Sequence, residues 1–528
     1  MLGTSTGELI FIRFWILFFR YTPCLYILAF LVSAYRAAAT ATVTAGPALL
    51  LASGLLLAAE LAYYARLWRP AQARLADEAE HPAPATPDER RALFRRCFLH
   101  VPDLEAYLRG WFTGAPPDAE GIKRDNVREF LLWAFFERRE GDENEEEGGE
   151  EGEDIAEEME EYLQAIEHKL GRPLAPGRGD AKSLRLTFDP VRTTYRSLLW
   201  YVVIGIVDVA THVVMRLHGF EYYPAAATEQ VFPPRPQTWR PFSARRSPAP
   251  GLGYWHKPPR RKPEDDGSSN SARNKADPNP VPVLFFHGIG VGLWTYATFL
   301  SEIHSASAQS IGIIAIEHLP ISFRLTRPPP GKTDFLSRVR LILDHHGWRR
   351  FALASHSYGS VPTTHVLRDP VLGPRVASVV LVDPVTLMLH LPAVAHNFTR
   401  RAPGPANEWQ LWYFASTDPG VAHCLGRHFF WRENILWRED LLLPPAAVDG
   451  DDDGDDAEGR GGTGWRAAVC LAGRDLIVDT AAVARHLEAE RAGGIDVLMF
   501  PDKDHAQAFD DPVARWQIVD LVVAYCSR

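Results

Sequence analysis

The chain reads FALASHSYG at residues 351–359. The first four residues are apolar or small, so we predict a short buried strand over residues 351–354. The next five follow an S-x-S-x-G pattern, in which Ser355 and Gly359 flank the central serine at a distance of two. A strand that turns sharply into a helix needs small residues at those positions, because the backbone passes close to its neighbours. We therefore expect Ser357 to present its hydroxyl at the start of a helix.

Short apolar runs with the same character recur at residues 281–286, 311–316, 376–382, 467–471 and 496–500. Helical patterns separate them, for example at residues 333–346, 480–490 and 512–525. Strands that alternate with helices predict a mostly parallel sheet with helices on both faces. In such a sheet, functional residues lie beyond the carboxyl ends of the strands.

A glycine-rich turn follows the first of these runs and reads His287-Gly288-Ile289-Gly290. Glycines allow backbone N–H groups to point at an oxyanion that develops during a reaction. The turn resembles the oxyanion-hole segment of the α/β-hydrolase superfamily, and this resemblance implies that the N–H groups of Ile289 and Tyr358 serve this purpose, with Gly288 beside them.

Asp475 follows the run at 467–471, and His505 follows the run at 496–500. Together with the serine and glycine turns, these segments resemble the α/β-hydrolase superfamily of serine esterases and lipases, although Ser355 stands where glycine is usual. The resemblance covers residues 280–528, less than half of the chain, and implies the α/β-hydrolase fold. It also implies a catalytic triad of Ser357, Asp475 and His505, in the chain order of this fold. His505 would accept the proton of Ser357, and Asp475 would fix the tautomer of His505.

Other acids and histidines near the predicted site stay open as alternatives. Asp383 follows the run at 376–382, where some members of the superfamily place the triad acid. Asp479 and Asp504 lie nearby in weaker positions. We expect His356 to shape the turn around the nucleophile and His287 to brace the oxyanion loop.

The N-terminal region, residues 1–70, is apolar and predicts membrane-anchoring helices. Residues 37–59 carry no charge over 23 positions, enough to span a hydrocarbon core of roughly 30 Å. Residues 9–35 are apolar as well, but Arg13 and Arg20 interrupt them, so this segment is either a second span or an interfacial helix. Arg66, Arg69 and Arg74 follow, and the positive-inside rule places that end in the cytoplasm.

Residues 71–225 predict a helical region. Thr86 and Glu89 form a capping box at the start of one helix, and residues 126–139 form another helix with an apolar face. The acidic run at 140–161, with fourteen acidic residues, is expected to be a solvated, disordered insertion. Residues 198–215 are apolar but contain Asp208 and His212, so they form either a third span or a helix docked on the soluble domain.

The remainder divides into a linker and a catalytic domain. Residues 226–280 are rich in Pro, Arg and Ser and predict a linker, and residues 281–528 predict the hydrolase domain. A lid insertion is expected at about 386–465. It can wall an apolar acyl site, lie against a membrane or form a small helical core. Its aromatic residues are Trp409, Trp412, Tyr413, Phe414, Phe429, Phe430, Trp431 and Trp437.

Composition excludes several classes of protein. The net charge is −10, but the acidic run at 140–161 and a second one of seven acids at 449–458 account for twenty-one negative charges. The rest of the chain is mildly basic, and nothing in it indicates a nucleic-acid surface. Five scattered cysteines without a CxxC pair argue against a disulfide framework or a structural zinc site.

These observations predict a membrane-anchored serine hydrolase that cleaves carboxylic esters, with lipid esters as the expected substrates. Its partners would be that ester and the bilayer, and the chemistry needs no metal or organic cofactor. Two other functions stay open. An acyltransferase would use the same triad with an alcohol in place of water, and a non-catalytic scaffold would keep only the fold.

Overall fold

A computed structural model describes residues 2–39, 46–114, 121–141, 150–225, 230–239, 243–259, 280–306, 311–442, 466–488 and 494–527. One eight-stranded sheet lies at its centre. The strands are β1 (Glu221–Tyr223), β2 (Tyr254–Lys257), β3 (Val283–Phe286), β4 (Ile313–Ile316), β5 (Phe351–His356), β6 (Val376–Val382), β7 (Arg466–Ala472) and β8 (Ile495–Phe500).

The spatial order of the strands is β1-β2-β4-β3-β5-β6-β7-β8. Strands β3 to β8 run parallel, and β1 and β2 are antiparallel to their neighbours. Every residue of β3, β4 and β5 is buried, because helices cover both faces of the sheet. The predicted α/β-hydrolase fold is confirmed.

All six predicted strands are present, with ends that differ by at most two residues from the prediction. The structure differs from the prediction at β1 and β2. Strand β2 lies inside the predicted linker, residues 226–280, and pairs with β4 through Tyr254 opposite Ile316. Its four residues are too few for a clear alternating pattern, and the Pro- and Arg-rich flanks hide them.

Helices surround the sheet and build the N-terminal half. They are α1 (Thr6–Ala39), α2 (Gly46–Tyr63), α3 (Pro87–Leu99), α4 (Leu104–Trp111), α5 (Arg124–Leu131), α6 (Glu150–Leu170), α7 (Leu198–Leu217), α8 (Ala297–Ala306), α9 (Lys332–His345), α10 (Ser360–Arg368), α11 (Pro392–Thr399), α12 (Ala406–Gln410), α13 (Pro419–Arg427), α14 (Trp431–Asn434), α15 (Thr480–Glu488) and α16 (Pro512–Cys526). A π-helical turn (Tyr64–Trp68) and a short helix (Arg69–Ala73) extend α2. Helices α3 to α6 share an apolar core of their own, and the predicted capping box at Thr86 is confirmed.

Part of the acidic run differs from its prediction as a disordered insertion. Residues 142–149 lie outside the described residues, but α6 begins at Glu150 and contains the rest of the run. Met159, Tyr162 and Ile166 recur at helical spacing and are buried in the N-terminal core. Glu158 is buried with them and pairs with Arg90 at 2.6 Å. The apolar spacing between the acids, rather than the total charge, determines the structure of this segment.

Helix α1 has two halves with different surroundings. Its four buried residues, Ile12, Ile16, Phe19 and Thr22, all lie in the first half, which packs on the lid and on α7. The second half contains none of these buried residues; Phe30 lies against Gly54 of α2, and the large apolar side chains of Leu28, Leu31 and Tyr35 are exposed. Arg13 and Arg20 therefore interrupt the apolar pattern in the half that rests on protein, and Arg13 stacks on Trp409 of the lid.

Among the residues that the structure describes, three helices have the length and composition for a membrane crossing, and α7 is one of them. One face of α7 packs on the hydrolase domain, and its Asp208 carboxylate pairs with Arg235 at 2.7 Å and Arg324 at 2.9 Å. The opposite face exposes an apolar stripe of Val202, Ile206, Val209, Val213 and Leu217. Asp208 is thus neutralised inside the protein, which is compatible with a docked helix and with a span whose acid faces protein.

Candidate active site

The serine turn joins β5 to α10 as expected for a nucleophile elbow. Ser357 has φ +52°, a strained conformation that the tight turn imposes. A Cβ atom on Gly359 would lie 2.2 Å from the carbonyl oxygen of Phe286, so the adjacent strand β3 leaves room only for glycine. The turn holds the Ser357 side chain at the carboxyl edge of the sheet.

The loops after β7 and β8 bring Asp475 and His505 to the same edge. His505 Nε2 lies 2.8 Å from Ser357 Oγ, and His505 Nδ1 lies 2.7 Å from Asp475 Oδ2. Burial by itself lowers the pKa of His505, but the charge and hydrogen bond of Asp475 outweigh burial and raise that pKa to about 9. Asp475 Oδ1 accepts the N–H groups of Ile477 and Val478, which fixes the carboxylate. The three side chains can therefore pass a proton from Ser357 to His505.

The glycine turn after β3 lies against the serine turn. Ile289 and Tyr358 both line the cavity beside Ser357, and the Ile289 N–H donates to no acceptor among the residues that the structure describes. Gly288 lies beside these two donors, and its own N–H donates to the Tyr296 hydroxyl at 3.3 Å. Its lack of a side chain also matters, since a Cβ there would lie 2.8 Å from the Cβ of Ser357.

The two histidines that flank the site have structural partners. His287 Nδ1 donates to the Gly288 carbonyl at 2.8 Å, and His287 Nε2 accepts the His318 N–H at 3.0 Å. His356 Nδ1 bonds the Tyr296 hydroxyl at 2.7 Å. His287 thus braces the oxyanion loop, and His356 braces the serine turn.

Asp383, the alternative acid, lies behind the histidine. Its carboxylate accepts the N–H groups of Ala472 at 2.8 Å and Ala506 at 2.9 Å. Burial is the main cause that raises the pKa of Asp383 to about 6, and the charge of Asp475 adds to it. Asp383 makes no hydrogen bond to His505 among the contacts of the described residues, so it ties the acid loop to the histidine loop.

Asp383, Asp475 and His505 also place possible metal-ligand atoms within 4.8 Å of one another. Each carboxylate already accepts two backbone N–H groups, and His505 bonds Asp475 and Ser357 with its two nitrogens. These hydrogen bonds account for the positions of all three side chains.

Sequence reasoning missed a link from the histidine loop to the lid. Asp504 is buried beside His505, and its Oδ1 accepts the N–H groups of Leu476 and His505. Its Oδ2 accepts the side-chain N–H of Asn407 in α12 at 2.6 Å. Asp504 is adjacent to His505 in the sequence, which indicated that it lies near the site. Its partner Asn407 is 97 positions away, so nothing in the sequence indicated the bond to the lid.

An apolar cavity with about 40 Å³ of free space adjoins Ser357. Its walls combine the lid with the N-terminal helical region, which contributes Trp111 and Trp133. The participation of α4 and the turn after α5 was not predicted, because nothing in their patterns distinguishes a cavity wall from a core.

No protein-family model matches the sequence, and a search of curated proteins finds no match. Three of the similar solved structures are a membrane phospholipase A described as a bacterial virulence factor, a naproxen esterase from Bacillus subtilis and a monoacylglycerol lipase from Paleococcus ferrophilus. The phospholipase is 13% identical over 62% of this chain and 94% of that chain, with a TM-score of 0.34. The naproxen esterase is 12% identical over 61% and 98%, with a TM-score of 0.34. The lipase is 12% identical over 47% and 96%, with a TM-score of 0.29.

The common feature is the α/β-hydrolase fold. At such identities and TM-scores, the neighbours carry no argument about the reaction or the substrate of this chain. The functional argument therefore depends on the site itself.

Proposed function

We propose that the protein is a membrane-anchored serine hydrolase that cleaves carboxylic esters, with lipid esters as its substrates. The observation that carries this proposal is the hydrogen-bonded series from Ser357 through His505 to Asp475, with distances of 2.8 and 2.7 Å. These three groups lie at three loop ends on one edge of the sheet, where a parallel sheet places its chemistry.

The reaction proceeds in two steps. His505 accepts the proton of Ser357 while Ser357 Oγ attacks the ester carbonyl, and the N–H groups of Ile289 and Tyr358 stabilise the oxyanion. The same proton then passes to the leaving alcohol, which leaves an acyl group on Ser357. Water attacks this acyl-enzyme, again with His505 as the base, and releases the carboxylic acid. Asp475 stabilises the imidazolium in both steps.

Lipid esters fit the walls of the site. The cavity beside Ser357 is lined mostly by aliphatic and aromatic side chains, among them Val385, Leu389, Phe398 and Phe429. Apolar walls suit an acyl chain, because its burial releases about 0.8 kcal/mol per CH₂ group. The free space is too small for such a chain, so the lid over residues 386–442 has to move to admit substrate.

The anchor is the hairpin of α1 and α2. Residues 23–39 of α1 are 17 positions long, about 26 Å in a helix, and expose apolar side chains away from α2. This approaches the roughly 30 Å of a hydrocarbon core. Glu60, which ends the uncharged part of α2, accepts the Leu198 N–H and the Tyr195 hydroxyl inside the protein. The hairpin crosses the bilayer twice, and the hydrolase domain lies on the side of Arg66 and Arg69.

A fluorophosphonate probe tests the nucleophile in detergent-solubilised protein. We expect labelling of the wild type and of Ser337→Ala, an exposed serine on α9, and loss of labelling in Ser357→Ala. Hydrolysis of a short soluble ester should disappear in the same variant. Labelling that persists in Ser357→Ala, or a folded wild type that neither labels nor hydrolyses any ester, would contradict the proposal.

A further inference from the structure

A second cavity of about 320 Å³ lies next to the apolar cavity at Ser357. The two share the wall residues Leu186, Phe398, Thr399 and Leu425. We call this second cavity the vestibule. Its walls differ in character, because they include Arg192, Arg400 and Arg401. Glu408 lines it as well, so three positive charges and one negative charge give the lining of this chamber a net positive charge.

The three arginines of the vestibule are not equally available. Arg400 pairs with Asp189 at 2.6 Å, and Arg401 donates to the Leu476 carbonyl and approaches Glu408 at 3.4 Å. Arg192 is exposed and makes no hydrogen bond or ion pair within the described part of the chain. Its guanidinium is the one in this wall with its donors free for a ligand.

The segment that carries Arg192 lies at the protein end of the hairpin. Thr193 donates to Gln72 at 2.6 Å, and Tyr195 contacts the rings of Trp68 at 4.9 Å and Tyr64 at 6.0 Å. Tyr64 and Trp68 follow the apolar part of α2, where aromatic residues lie at the headgroup level of a bilayer. Arg192 precedes Tyr195 by three residues and is therefore expected near the level of the lipid headgroups.

We propose that the vestibule binds the phosphate of a phospholipid or lysophospholipid whose acyl ester reaches Ser357. This inference rests on the proposed function and names the substrate class of that site. The guanidinium of Arg192 binds the phosphate oxygens, since its paired N–H groups match their geometry. The acyl chain occupies the adjoining apolar cavity once the lid has moved.

Binding can be tested without turnover, with a matched pair of ether lipids that no esterase cleaves. The probes are 1-O-octylglycerol 3-phosphate and 1-O-octylglycerol, which differ only in the phosphate. Affinity for the full-length protein in neutral detergent is measured by titration calorimetry. We expect the wild type to bind the phosphate form about tenfold more tightly, the effect of one partly exposed charge-assisted contact.

Three variants separate this role from a general effect of charge. Arg192→Gln should remove the tenfold preference, and Arg192→Lys should restore part of it. Arg350→Gln, which removes an exposed arginine at the opposite edge of the sheet, should keep the full preference. Fluorophosphonate labelling of Ser357 should not change in any of the three, so a defective nucleophile is distinguishable from a lost phosphate contact.

Equal affinity of the wild type for both ether lipids would overturn the proposal, as would a preference that survives in Arg192→Gln. Glycerol 3-phosphate without a chain serves as a further probe. If it binds as tightly as the octyl form, the ligand is a soluble phosphate ester and the lipid assignment is wrong. If the wild type prefers the phosphate form but Ser357 is never labelled, phosphate binding in the vestibule is supported and the proposed hydrolase function is contradicted.

Discussion

The absence of a side chain at Gly288 allows the glycine turn to pack against Ser357 and His356. Alanine at this position would place a Cβ 2.8 Å from the Cβ of Ser357 and 2.8 Å from His356 Nδ1, so one of the two must move. We expect Gly288→Ala to lower ester hydrolysis by about 10²-fold, the usual effect of misplacing a reacting group by about 1 Å. Gly290→Ala is the control, because a Cβ there meets nothing within 4 Å. Similar kcat/KM values for the two variants would contradict this role of Gly288.

The pH dependence of hydrolysis follows from His505. The base must be neutral to accept a proton, and its pKa is raised to about 9. The kcat/KM should therefore rise about tenfold per pH unit below that value and level off above it. Asp383 contributes to the raised pKa through its charge, so Asp383→Asn should move the rising limb to lower pH.

Asp502→Asn is the control for this shift, because Asp502 lies on the same loop but is exposed. Asp502→Asn should leave the rising limb of the pH profile at the same pH as in the wild type. The position of the limb does not depend on how much enzyme is folded, so a loss of stability in Asp383→Asn would not produce the shift. A profile that is flat between pH 6 and pH 9 would show that a neutral His505 is not required.

The residues that carry the proposed chemistry were readable in the sequence because each follows an apolar run in a short, distinctive segment. Ser357, Asp475 and His505 come together as predicted, although their catalytic roles are still proposals. Tyr296 and Asn407 were not foreseen. Tyr296 acts through hydrogen bonds to Gly288 and His356, and a tyrosine in an amphipathic stretch gives no local sign of such bonds.

At the scale of elements, Asp208 on α7 fixes this helix to the hydrolase domain. Asp208→Asn would leave the buried Arg324 without its carboxylate partner. We expect the free energy of unfolding to fall by about 3 kcal/mol, because an uncompensated buried charge is costly. A lower midpoint of thermal unfolding in detergent would show the loss.

Asp334→Asn provides the matched control, since it removes the same charge from an exposed pair with Arg338 on α9. Such exposed pairs contribute about 0–1 kcal/mol, so its midpoint should stay close to that of the wild type. Equal midpoints for Asp208→Asn and Asp334→Asn would mean that α7 is not held by its acid.

Helices and strands were predictable where an apolar pattern ran long enough. Strands β3 to β7 appeared as continuous apolar runs because both of their faces are buried, whereas the edge strand β8 buries only Phe500. Strands β1 and β2 are three and four residues long, and β1 begins four residues after the end of α7. In α6 the apolar residues were spaced correctly for a helix, but the acids between them dominated the composition.

At the scale of the whole molecule, the hairpin predicts a two-sided arrangement. Ala39, at the far end of α1, should face the side of the membrane opposite the hydrolase domain. The sidedness can be measured with single cysteines at Ala39 and at the exposed Ser305 of α8. Both are introduced into Cys24→Ser protein, because the other four native cysteines are buried. An impermeant maleimide applied to sealed vesicles should label the two positions from opposite sides. Labelling of both from one side would mean that the hairpin lies on the membrane without crossing it.

The first half of α1 and the residues that precede it rest on the lid. The Leu2 N–H donates to Gln410 at 2.8 Å, and the Gly3 carbonyl accepts the Asn407 N–H at 3.1 Å. The donor and acceptor of the first bond are 408 positions apart. At 5–20 residues per second, a ribosome needs roughly 20–80 s to make the chain between them. The membrane hairpin is therefore synthesised long before the lid that it contacts, and the lid cannot close over the site until synthesis has passed residue 410.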